Sequence, residues 1–218
     1  MYPPEYIIPK IKQRLIWIIS CLSILCCSQL NAQVVFNGTE TLANSIVANN
    51  QQNASIAADT SGKFIITWES ETTDGDDYGI FAAIFNADGT TAVAEFQVNT
   101  TTANGQRFPK VACAANGNFV ITWMSEDEDG DGWGVYARRY DITGTALSSS
   151  TRINSNATGH QKFPQVEVNA SGDIVFTWMS DSSGSWDIYA RRYNSSFVAL
   201  ASEFVVNTTI SGHNSMPD

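Results

Sequence analysis

GKFIITW (62–68), GNFVITW (117–123) and GDIVFTW (172–178) are one motif written three times, and Trp68, Trp123 and Trp178 fall at steps of 55 residues. The same step carries Gln51 to Gln106 to Gln161, and Pro109 to Pro164. A repeat of this length built from strand-like segments marks an array of similar small sheets. The second unit, read outward from its motif, shows the plan. Pro109 opens a short strand, PKVACAA, and Asn116-Gly117 turns the chain, because both residues tolerate positive φ. FVITW (119–123) is β-branched and aromatic. An acidic, glycine-rich loop follows, then GVYARRYD (134–141), a turn at Thr143-Gly144 and a short strand ending near Asn154. Apolar residues occupy both faces of the strands, as they must where every sheet is covered on both sides by a neighbour.

The expectation is an all-β, β-propeller-like array of four-stranded antiparallel blades, with repeats at 51–105, 106–160 and 161–212. HNSMPD (213–218) aligns with HQKFPQ (160–165) and reads as the start of a fourth repeat. Closed propellers need about four to eight blades. The array is therefore expected to be incomplete, and to associate with missing repeats or with itself.

Residues 1–32 read as a signal peptide. Lys10, Lys12 and Arg14 precede the apolar run LIWIISCLSIL (15–25), which is short for a bilayer span, and Ala32 offers a cleavage point. The domain of residues 33–218 is then secreted or displayed at the cell surface, with no stable membrane span in the mature form. Removal of the leader takes Cys21, Cys26 and Cys27, leaving Cys113 as a small hydrophobe in a strand. The chain's net charge is −10. Loss of three basic residues against the single acid Glu5 makes the mature part more acidic still, which excludes a nucleic-acid footprint.

The acids gather between the second and third strands of each unit. Glu69, Glu71, Asp74, Asp76 and Asp77 belong to the first group, Glu126, Asp127, Glu128, Asp129 and Asp131 to the second, and Asp181 and Asp187 flank the third. Clustered carboxylates invite a hard cation. Asp127-x-Asp129-x-Asp131-Gly132 follows the first half of an EF-hand-type loop, with Arg138 where the bidentate glutamate would stand. Asp74 and Asp76 form a partial copy. Calcium is the expected cofactor of Asp127, Asp129, Asp131, Asp74 and Asp76, with affinity on the order of 0.1–1 mM. Arg138-Arg139 and Arg191-Arg192 read as ionic contacts to the acidic loops. Tyr78, Trp133 and Trp186 stand at matching loop ends and read as packing aromatics. His160 and His213 lack a zinc-site context. No nucleophile triad, phosphate loop or dinucleotide fingerprint is present.

The string GNFVITWMSEDEDGDGWGVYARRYD (117–141), followed by Arg152-x-Asn154 and Gln161-x-x-Pro164, resembles a blade repeat of large secreted or surface proteins of bacteria, which often also carry RTX-type or cadherin-like modules. The acidic loop is similar to the calcium loops of FG-GAP (integrin α-type) propellers, which would make Asp127, Asp129 and Asp131 ligands. Ser125-x-Asp127 is similar to part of a sialidase Asp-box. The resemblance is specific for the repeat rather than for a function; the chain is read as a non-enzymatic, exported module for adhesion, ligand binding or surface scaffolding, with a protein or glycan as partner. The alternative is a carbohydrate-active enzyme, or its carbohydrate-binding domain, on the same scaffold.

Overall fold

The structure, a computed structural model, describes residues 40–208 and Pro217, all within one compact unit spanning Gly38–Asp218. The proposed signal peptide and most of the fourth-repeat start, His213 included, lie outside the described residues. Twelve strands and no helix are found among those described. They form three four-stranded sheets, each a meander in which consecutive strands pair antiparallel.

The first sheet contains β1 (Gln51–Ala58), β2 (Phe64–Glu71), β3 (Tyr78–Phe85) and β4 (Thr91–Gln97). The second contains β5 (Gln106–Cys113), β6 (Phe119–Glu126), β7 (Trp133–Tyr140) and β8 (Thr151–Arg152), and the third β9 (Gln161–Val168), β10 (Ile174–Ser180), β11 (Asp187–Tyr193) and β12 (Phe204–Val205). This is the blade form that the repeat predicts. Some boundaries differ from the sequence reading. β5 starts at Gln106, before the Pro109 at which the sequence opens it. β2 runs to Glu71 and β6 to Glu126, so Glu69, Glu71 and Glu126 are strand residues, not loop residues.

The blades stack face to face, with β1 beside β5 and β5 beside β9. Between the first two, Ile65, Ile80, Ala82, Ile84 and Val98 meet Val111, Phe119, Ile121, Trp123, Tyr136 and Tyr140. Between the second and third, Ala112, Val120, Val135, Ala137 and Ile153 meet Val166, Ile174, Phe176, Trp178 and Tyr193. Alternate residues of β6 and β7 thus serve opposite interfaces, which explains why FVITW carries apolar residues on both faces. Each large side chain so buried contributes about 1.5–3 kcal/mol. Cys113 is half-buried against the first of these cores, and burial, reinforced by the charge of Asp59, raises its thiol pKa to about 11.

The turns at one end, between first and second and between third and fourth strands, are built alike. Asp59, Asp141, Asn169 and Asn194, each first in its turn, accept a backbone N–H from two residues onward, and in the turn of Asn86–Thr90 the third residue, Asp88, does so. The acidic loops and the links between blades occupy the other end.

The arginine pairs play a role different from the one the sequence suggests. Arg138 Nη1 donates to the carbonyl of Val98 at 3.1 Å, and Arg191 Nη1 to that of Ile153 at 2.7 Å. Each arginine reaches back to the residue that follows the last strand of the preceding blade. Among the described residues, the single ion pair is Arg107 with Asp77, at 2.7 Å.

Candidate functional site

At the acidic end, an asparagine closes each blade. Asn99 Oδ1 accepts the backbone N–H of Ile80 at 2.8 Å, Asn154 Oδ1 that of Val135 at 2.8 Å, and Asn207 Oδ1 that of Ile188 at 2.7 Å. Asn99 Nδ2 donates to Gln106 Oε1 at 2.8 Å, and Asn154 Nδ2 to Gln161 Oε1 at 2.8 Å. Gln106 and Gln161 are fully buried. The glutamine that opens each repeat is therefore hooked to the asparagine that ends the one before. Asn44 and Gln51 make the same link at 3.2 Å ahead of the first blade.

The loop carboxylates serve this framework. Asp129 Oδ2 accepts from Asn154 Nδ2 at 3.0 Å, and Asp74 Oδ2 from Asn99 Nδ2 at 2.9 Å. Asp131 Oδ2 accepts the N–H of Gly159 at 2.9 Å, and Asp76 Oδ2 that of Asn104 at 3.0 Å. Asp127, at φ 55°, folds its own loop by accepting from Gly132 N at 3.0 Å. The alternate carboxylates point to separate partners, and among the described residues no three His, Cys, Asp or Glu side chains are grouped to hold a metal. Each of these bonds occupies one carboxylate oxygen, and Asp129 Oδ1 and Asp74 Oδ1 are buried with no hydrogen-bond partner among the described residues. Burial first, then the charges of Glu128 and Asp129, push the Tyr136 phenol well above its usual range.

The third blade reaches the same arrangement by another route. Its loop is shorter and lacks the counterpart of Asp129. Asp187 stands instead where the other blades have Gly79 and Gly134. It is 1% exposed, and its carboxylate accepts from Asn207 Nδ2 at 2.9 Å and from Ser183 Oγ at 2.8 Å. In the second blade the Asp129 carboxylate fills that space, and a Cβ on Gly134 would lie 2.6 Å from Asp129 Oδ2.

Residues that break the repeat are gathered where the inner strands begin. Glu69 is fully buried, whereas Met124 and Met179 occupy its place in the other blades. Its Oε1 accepts from Gln52 Nε2 at 2.8 Å and Asn53 Nδ2 at 2.7 Å, and its Oε2 from the N–H of Phe108 at 2.8 Å. Asn53, Phe108 and Phe163 sit at equivalent bulges of β1, β5 and β9 with φ of 54°, 54° and 53°. Asparagine visits this region readily; a bulky side chain there is a genuine outlier. The Phe108 and Phe163 rings meet edge to face, with centroids 4.9 Å apart, and both residues stay partly exposed. Beside them the Arg107 guanidinium lies 4.1 Å from the Tyr78 ring centroid, and Lys162 Nζ 5.8 Å from that of Trp186. The Trp186 ring also stacks on His160. Tyr78 is buried, while Trp133 and Trp186 remain half-exposed.

The acidic motif was visible in the sequence; this rim was not. Its one local signal is the paired QRFP and QKFP (106–109 and 161–164), whose phenylalanines stand just ahead of the prolines that open the strands in the sequence reading. A cavity of about 190 Å³ between the second and third blades, at the opposite end, is small beside sites for organic ligands, which run to about 300–1,000 Å³.

No family model and no curated protein matches the chain. Solved structures do. The Hadza microbial sialidase Hz136 superposes on 72% of this chain with a TM-score of 0.53 and 14% identity. The match spans 37% of the sialidase structure. An endo-arabinase from Bacteroides thetaiotaomicron matches 67% of this chain and 59% of its own at TM-score 0.44 and 14% identity. A fucose lectin from Kordia zhangzhouensis matches 72% of this chain and 99% of its own at TM-score 0.42 and 10% identity. At these identities the likeness is one of fold.

Proposed function

We propose that this is a carbohydrate-directed module of propeller type, and that the rim made by Gln52, Asn53, Arg107, Phe108, Lys162 and Phe163 holds the glycan. The observation that carries this reading is the Phe108–Phe163 pair, kept in left-handed backbone at a position where the first blade uses the easier Asn53. Backbone strain of this kind, about 1–3 kcal/mol per residue, persists where its surroundings enforce it, and it clusters at ligand sites. A sugar ring offers a C–H face to an aromatic platform, and hydroxyls to the amides and cations beside it. The fold shared with a sialidase is compatible with this class and leaves the ligand open. Export through residues 1–32 would present the module outside the cell, where glycan binding could serve adhesion or scaffolding.

Glu69 favours a second reading, a glycoside-cleaving enzyme. It is a buried carboxylate at a position the other blades leave apolar, and catalytic groups are singular where framework groups repeat.

The test pairs Phe108→Asn with the unaltered protein on a glycan array and in thermal melts. The variant is expected to bind its best glycan about tenfold more weakly, the loss of one stacking contact, while melting no lower. Absence of any bound glycan would remove the proposal. Release of chromophore from a panel of glycosides, abolished by Glu69→Gln, would select the enzyme.

A further inference from the structure

The outer face of the third blade has a precise counterpart in the two faces already covered. Val98 and Ile153, which follow the fourth strands of the first and second blades, are both 0% exposed, whereas the matching Val206 is 50% exposed. Ile65 and Val120 are fully buried, while Val175 at the same position is half-buried. Thr67 and Thr122 are buried, and Thr177 is not. Phe96 packs on Tyr140 of the next blade with ring centroids 5.4 Å apart; its counterpart Phe204 is 48% exposed. Arg138 and Arg191 donate to the carbonyls of Val98 and Ile153, and Val206 carries the next carbonyl of that series. Pro217 supplies a further point. Its carbonyl accepts from Gln165 Nε2 of β9 at 3.0 Å, so the proline that matches Pro109 and Pro164 lies against the preceding inner strand.

We propose that this face is the docking surface of a fourth blade of the same repeat type, continuing the chain from Pro217. The occupant brings a third strand of the Tyr-Ala-Arg-Arg-Tyr kind. Its first arginine bonds the carbonyl of Val206 and its second tyrosine covers Phe204. The interface is continuous with the two already formed, since each blade presents the same positions to the one after it. The proposal is independent of the ligand reading.

The experiment extends the full chain, replacing Asp218 with a copy of residues 165–208. Compared with the parent, the extended chain is expected to melt higher by about 5 °C or more, and to bind less of a dye specific for exposed apolar surface. Val206→Asp should cancel the gain in the extended chain and leave the parent's melting nearly unchanged. An extended chain that melts no higher, with the added segment cut by protease as fast as an unfolded peptide, overturns the proposal. So does a parent chain that is a dimer in solution and becomes monomeric on Val206→Asp, because the occupant is then a second copy.

Discussion

Asp88 and Asp141 hold equivalent turns together, and both carboxyls lie below the usual aspartate range because threonine hydroxyls, Thr90 and Thr143, donate to them. The sign of the pH dependence follows. A group whose folded pKa is depressed is protonated first in the unfolded chain, so its contribution is complete above the unfolded pKa of about 3.9 and is lost as pH falls through the folded value. Melting temperature should therefore fall as the pH drops below about 4. Asp141→Asn, which keeps the side-chain acceptor used at Asn169 and Asn194, should flatten that acid limb; an unchanged slope would show that other carboxylates govern it. The acids of these turns and loops were legible in the sequence, but their duties were not. Asn99 and Asn207 fall in Asn-x-Thr triplets, which are common in so Asn- and Thr-rich a chain. Their importance depends on Ile80 and Ile188, Asp74 and Asp187, which fall far away along the chain. Glu69 was hidden differently. It reads as the edge of an acidic loop, and only the extension of β2 to Glu71 places it inside.

Between elements, the blades show two solutions to one packing problem. A carboxylate must sit beneath the closing asparagine. In the first two blades the loop supplies it and a glycine makes room; in the third, the strand supplies it through Asp187 and the loop is shorter. Gly134→Asp alone puts a Cβ into the Asp129 carboxylate and sets two like charges together. It should cost about 1–3 kcal/mol, in the range of overpacked sites. Adding Asp129→Ser should recover part of that loss, with a coupling of about 0.5–3 kcal/mol in the double-mutant cycle measured by urea unfolding. Strictly additive effects would mean that the two positions do not share the space. The strands themselves were easy to read, because two-sided apolar alternation at a fixed period leaves little choice of fold. The arginine pairs misled, because a charge near an acidic loop suggests an ion pair. In the fold, Arg138 and Arg191 instead reach the carbonyls of the neighbouring blade.

For the molecule as a whole, stability in a stacked array is the sum of what each blade contributes and what each interface adds. The second blade has an apolar core on both faces, one shared with the first blade and one with the third. The first blade's other face is formed by Trp68, Phe81, Ala83 and Phe85, with Ala43 packed against them. The third blade carries the exposed Phe204, Val205 and Val206. The sequence showed three repeats and an array expected to be incomplete, but not which outer face is left open, since the third motif is as apolar as the others. Exposure depends on which neighbour is present. Local opening should follow it, because segments with few buried contacts open at lower free energy. In native-state hydrogen exchange, the amides of β6 and β7 should therefore be the slowest, and those of β11 and β12 the fastest among the paired strands. If β11 exchanged as slowly as β7, the outer face of the third blade would have to be covered in solution, and the protection pattern would map the residues beneath the cover.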